Sequence, residues 1–269
     1  MALLLSGWFG VASTLAATQA NDAPMAEVAA EVTLSGVDAM RAPRPDEATV
    51  AVARIEISGT QDVAARLLEA VYRRAGIPLR IQAFPAPRAN AMSRRGEVDG
   101  ELARIGRYYE ENPHLIRVEP PLMWTDATVF MLAERARPVA RAADLAGLRV
   151  GVVRGVRQSL EAVEGVAGVE LVTDPRQLYR MLARGRLDVV VDSTVSMRRF
   201  TAELGLVGVV ESGVLSRRAV YHGLQRRHAG LAGPISEALI ALRASGELDA
   251  LERAAADAAA RPGGSATSP

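Results

Sequence analysis

The sequence predicts a two-lobed α/β fold, each lobe an open, mostly parallel sheet flanked by helices, with a ligand cleft between the lobes. Three observations carry this. Two β-α-β-α-β runs follow one another between Val50 and Asp192. The segment Leu187–Val191 is almost wholly apolar, as a strand covered on both faces must be. The helical stretches between strands carry their own start and stop residues. Strand–helix alternation of this kind implies parallel strands joined by right-handed crossovers.

In chain order, Val50–Ile57 reads as a strand, and Ser58-Gly59-Thr60 caps a helix over Gln61–Arg74. Val63, Leu67, Leu68 and Val71 form its apolar stripe, and Gly76 stops it. Leu79–Phe84 is a second strand, Ala89–Arg95 a short helix ended by Gly96, and Val98–Ala103 a third strand. A strand near Thr128–Ala133 links this unit to the next. There, Leu148–Val153 is a strand, Gly155 opens a helix toward Val163, and Val169–Val172 is a strand. Asp174-Pro175 starts a helix to Ala183, with a capping Asp and Pro at its first position. After Leu187–Val191, Ser193 and Thr194 cap another helix. Val207–Val210 and Ala219–Leu224 are further strands, and helices over Leu231–Ala244 and Glu247–Ala259 close the pattern.

Composition excludes several chemistries. All 32 basic residues are Arg, so Schiff-base chemistry and a P-loop Lys are impossible. There is no Cys, which removes thiol nucleophiles, disulfides, Cys-ligated zinc and a lipid-attachment thiol. His114, His222 and His228 have no metal-ligand spacing, so no metal or other cofactor is expected. A net charge of +1 gives no reason to expect nucleic acid as a partner. No GxSxG elbow occurs, and no GxGxxG follows the first strand.

Met1–Ala20 is apolar and ends in small residues, which resembles a secretory signal peptide without the usual basic start. The expected organisation is signal peptide 1–20, lead-in 21–49, first lobe 50–131 plus 216–257, second lobe 132–215, and a disordered tail 258–269. No later run reaches membrane-spanning length, so a periplasmic protein without direct membrane insertion is expected.

Pro87-Arg88-Ala89, Gly96-Glu97-Val98-Asp99-Gly100-Glu101-Leu102-Ala103-Arg104 and Pro113–Val118 resemble the first lobe of bacterial extracellular solute-binding proteins of family 3. Asp144–Gly155 is similar to the opening of that family's second lobe, and Gly185–Asp192 to its last core strand. The resemblance spans roughly Val50–Ala255. It implies the type II periplasmic-binding-protein fold, a small amino acid or related carboxylate as ligand, and an ABC permease as partner. It further implies that Arg104 or Arg107 holds a ligand carboxylate, that Asp192 holds an ammonium group, and that the amides after Gly155 can hold an anion. One departure is plain. Family members carry an aromatic-containing loop between the first strand and helix, whereas this link is only Ser58-Gly59-Thr60.

Arg104 follows a parallel strand, where side chains emerge at the ligand edge, and its planar fork suits a carboxylate. Arg88 and Arg154 are further anion contacts, and Glu56 and Ser58 end the first strand. Glu101 is expected either in a salt bridge or, in an enzyme of this fold acting on a small carboxylic acid, as the general base. His222 is expected as a packed residue. Importer component, enzyme and ligand-sensing module for a membrane partner are the function classes that this pattern leaves open, the first being favoured and catalysis not expected.

Overall fold

The computed structural model describes residues 49–259. The expected signal peptide, most of the lead-in and the expected tail beyond Ala259 lie outside the described residues. The strands are β1 (Val50–Ile55), β2 (Leu79–Phe84), β3 (Gly100–Ile105), β4 (Leu115–Arg117), β5 (Met123–Leu132), β6 (Val150–Val153), β7 (Glu170–Val172), β8 (Val189–Asp192) and β9 (Val209–Gln225). The helices are α1 (Gly59–Ala75), α2 (Ala86–Arg95), α3 (Gly106–Glu111), α4 (Arg157–Ala162), α5 (Pro175–Ala183), α6 (Thr194–Leu204), α7 (Ala232–Ala244) and α8 (Glu247–Ala259). Among the described residues, no helix is long and apolar enough to cross a membrane.

The strands join into one mixed sheet ordered β2-β1-β3-β9-β5-β8-β6-β7, with β4 added to β9. Within it, β1 runs parallel to β2 and β3, and β6 parallel to β7 and β8. Two long antiparallel strands bridge these groups. β5 pairs with β9 from Met123↔Val220 to Leu132↔Val209. Thr128–Phe130 of β5 also pair with Val190–Asp192 of β8, so β5 belongs to the second lobe's sheet from about Thr128 onward. Register shifts in the β5–β9 ladder fall between Ala127 and Thr128 and between Val129 and Phe130. Bulges locally bend a paired ribbon. The two chain crossings therefore carry their irregularity where one lobe passes into the other.

Each lobe has its own core. In the first, Val52, Leu67, Leu68, Val71 and Leu102 pack with Leu239 and Leu242 from α7. In the second, alternation along the strands splits the core between the two sheet faces. Val129, Val150, Val152, Val189 and Val191 fill one face. Phe130, Leu178, Tyr179, Val190 and Phe200 fill the other. Every residue of β8 is buried, as its apolar sequence requires.

Most expected elements are present with ends moved by a few residues. Where two strands, Val207–Val210 and Ala219–Leu224, were expected, one strand of 17 residues runs through. Gly213 interrupts its apolar pattern for a packing reason. A Cβ there would lie 1.8 Å from the Val139 carbonyl oxygen, so only glycine fits. Nothing in the sequence marked β4 or α3 as separate elements. They are short, with 3 and 6 residues, and offer little periodicity.

Candidate functional site

The carboxyl ends of β1, β3 and β6 converge on a cavity between the lobes. Open α/β sheets bind ligands at such ends. Ile55 and the first turn of α1 (Ser58, Thr60, Gln61) contribute from β1 onward, and Arg104 with Tyr108 from β3 and α3. Gly155, Arg157 and Gln158 form the wall from the second lobe. The cavity is partly open to solvent, and its volume is about 40 Å³. That holds a few water molecules and is well below the roughly 150 Å³ that admits benzene. The lobes are thus closed on one another. Thr60 Oγ1 donates to Ser193 Oγ at 3.0 Å across the gap. Asp62 of α1 accepts from Arg54 at 2.5 Å and from Arg199 of α6. Arg157 of α4 pairs with Glu111 of α3. Gly155, with φ +86°, comes so near α2 that a Cβ there would sit 2.9 Å from Ala86 Cβ.

Arg104 owes its position to a bulge. Glu101 pairs with Gly223 and Arg104 with Tyr221, so three steps along β3 match two along β9. The extra residue turns Arg104 to the same side as Glu101, which a regular strand would forbid. Arg104 Nε and Nη2 donate to Glu101 Oε2 at 3.0 and 2.8 Å, and Nη2 also donates to Asn90 Oδ1 at 2.9 Å. Tyr108 donates to Glu101 Oε1 at 3.1 Å, and its ring lies 4.7 Å from the Arg104 guanidinium carbon. Arg104 Nη1 has no hydrogen bond among the described residues. Glu101 is fully buried beneath Arg104 and does not line the cavity. Oε2 accepts from Arg104 and Oε1 from Tyr108, so Glu101 is held in a buried ion pair outside the lining.

The expected site residues separate clearly. Arg104, Ser58 and Gly155 meet at the cavity. Asp192 does not. Residues 190 and 192 share one strand face, and the Asp192 carboxylate turns with Val190 toward the α5–α6 side. It accepts from the Ser193 amide at 2.8 Å and from Tyr179 Oη at 3.2 Å. Burial pushes it up to about 7, with Asp126 adding to the rise and these hydrogen bonds opposing it. Arg107 is exposed and pairs with Glu111 at 3.3 Å. Arg154 is exposed, and its backbone extends the pairing of β6 with β7. Arg88 is exposed over the Phe84 ring. Glu56 is half-buried at the end of β1 and is not part of the lining. His222 is buried, with Tyr72 Oη 2.7 Å from Nε2 and the Glu101 carbonyl 3.0 Å from Nδ1.

Sequence reasoning missed Thr60, Gln61, Tyr108, Arg157 and Gln158. The first two were legible as the first turn of a capped helix, and Arg157 and Gln158 as the first residues after the Gly155 turn. Arg157 carries one further signal that only geometry reveals. Its Nε is buried and has no hydrogen-bond partner among the described residues.

The architecture decides the fold. It is that of the two-lobed type II periplasmic binding proteins. The chain is similar to a histidine kinase sensor domain resembling periplasmic binding proteins, with a TM-score of 0.67 and 20% identity over 78% of this chain and 97% of that one. It is similar to the amino acid ABC transporter substrate-binding protein AbpA of Streptococcus pneumoniae bound to L-arginine, with a TM-score of 0.66 and 16% identity over 79% and 96%. The GluR0 ligand-binding core in complex with L-glutamate matches with a TM-score of 0.68 and 12% identity over 78% and 98%. In sequence, an uncharacterized protein of Shewanella oneidensis is 26% identical over 168 residues, which are 60% of this chain and 64% of that protein. The match thus spans less than two thirds of that relative's length. No family model matches the chain.

Proposed function

We propose that this chain is an exported solute-binding protein of the family 3 type. It captures a small polar or anionic solute between two closing lobes and delivers it to an ABC permease in the inner membrane. The observation that carries the reading is the interlobe cavity itself. One wall is Arg104 with the first turn of α1, the other is Gly155–Gln158, and β5 and β9 supply a two-strand hinge between them. A ligand that touches both walls favours the closed form by its differential contacts. The division at work is a first lobe of about 50–131 plus 216–257 against a second of 132–215, with the bend spread over the β5–β9 irregularities. The same closure serves a ligand-sensing module, since a sensor domain shares the fold. The reading of a carboxylate-assisted enzyme is set aside because Glu101 is locked to Arg104 and Tyr108.

The test is small-angle scattering across a solute panel of carboxylates, amino acids, sugars and amines. At least one solute should reduce the radius of gyration at saturation while raising the melting temperature. No change with any solute would refute the closing-cleft reading.

A further inference from the structure

The cavity presents two guanidinium groups and no carboxylate, the partners Glu101 of Arg104 and Glu111 of Arg157 Nη2 lying outside the lining. Arg104 and Arg157 line it from opposite lobes, and none of its lining residues is acidic. Most carboxylates close by are already committed; the exception is Glu161 on α4, which is not part of the lining and whose buried Oε1 has no hydrogen-bond partner among the described residues. Both Glu101 oxygens accept from Arg104 or Tyr108. Asp62 holds Arg54 and Arg199. Asp192 is turned to Tyr179 and Ser193, and Asp126 Oδ2 accepts from Thr128 and from both the backbone and hydroxyl of Thr194. An ammonium group needs acceptors for three N–H bonds when it leaves water, and it repels like charge. This lining sets two guanidinium groups against it and offers only neutral hydroxyl and amide oxygens as side-chain acceptors.

The unmet buried group on the lining itself is a donor. Arg157 Nε is buried and has no acceptor among the described residues. An orphaned buried donor costs free energy that an acceptor on a ligand would recover. Elsewhere in the lining, Ile55, Ala103, Ile105, Val156 and Val220 are apolar, beside the neutral polar groups of Ser58, Thr60, Gln61, Tyr108 and Gln158. That surface suits a short carbon skeleton better than a bare inorganic anion.

We propose that the ligand is a small organic carboxylate without an ammonium group, its oxygens bridging Arg104 in one lobe and Arg157 in the other. The proposal rests on the cleft being the binding site, and it narrows the solute from "amino acid or related carboxylate" to the latter alone.

The experiment uses matched pairs that differ only in the amino group: succinate and aspartate, glutarate and glutamate, butyrate and 2-aminobutyrate. Inorganic phosphate is a separate arm, and binding is read by calorimetric titration. In at least one pair the des-amino acid should bind at least about tenfold more tightly than its partner, and more tightly than phosphate. The preference should persist in Asp192→Asn, because that carboxylate faces away from the cavity. Equal or tighter binding of the amino acid in every pair that binds would overturn the proposal. So would phosphate outcompeting every carboxylate, or no carboxylate binding while another solute compacts the protein. That last result would leave the closing-cleft reading intact. Failure of every solute in the broader panel to compact the protein would instead remove the reading beneath it.

Discussion

Asp192 and His222 titrate in opposite senses, and their effects on stability cancel over much of the acid range. Burial raises Asp192 from 3.8 to about 7. Between those values the folded chain keeps a proton that the unfolded chain has lost, so stability falls as pH rises toward 7. Burial lowers His222 from 6.5 to about 4. Between those values the unfolded chain holds a proton that the folded chain lacks, so stability rises with pH up to 6.5. At about 1.4 kcal/mol per pKa unit, the two spans are worth up to about 4 and 3 kcal/mol. Asp192→Asn preserves the acceptor for the Ser193 amide and removes only the first of these. Its melting temperature should therefore climb from pH 4.5 to 6.5 and exceed that of the native chain above pH 7. A melting profile parallel to the native one across that range would show that Asp192 is not held with a raised pKa.

At the scale of elements, the turn from β6 to α4 governs how closely the lobes approach. Gly155 needs its positive φ and its missing Cβ, because α2 of the other lobe stands against it. Gly155→Ala adds a methyl 2.9 Å from Ala86 Cβ, so the lobes must part by a few tenths of an ångström or more. Ligand affinity should drop by about tenfold, with a melting temperature lowered by only a few degrees, since a side chain in the left-handed region costs about 1–2 kcal/mol. Native affinity in this variant would mean that the turn does not limit closure. The sequence made this turn legible, since glycine between an apolar strand and a helix start is a local signal. The bulge in β3 was not legible. It depends on the antiparallel partner β9, and that pairing lies about 120 residues away in sequence. For that reason Arg104 could be placed at the ligand edge but its partnership with Glu101 could only be left open. Asp192 failed for a simpler reason. Strand alternation near β8 was readable, but which face meets the cleft depends on the whole second-lobe sheet.

For the whole molecule, the two α/β units were legible because parallel strands and capped helices announce themselves locally. Their union into one sheet was not, because β9 crosses both lobes through a polar, glycine-broken stretch that reads as a gap. The central claim is that the solute binds in the interlobe cleft, which must open beyond its present volume of about 40 Å³ to admit it, and is held from the second lobe by Arg157. The most direct measurement is calorimetric titration of Arg157→Gln with the tightest-binding carboxylate. Arg88→Gln serves as control, since Arg88 is exposed and does not line the cavity. Arg157→Gln should raise the dissociation constant at least about tenfold, equivalent to about 1.4 kcal/mol, while Arg88→Gln binds as the native chain does. An unchanged constant in Arg157→Gln, with folding intact, would contradict the account.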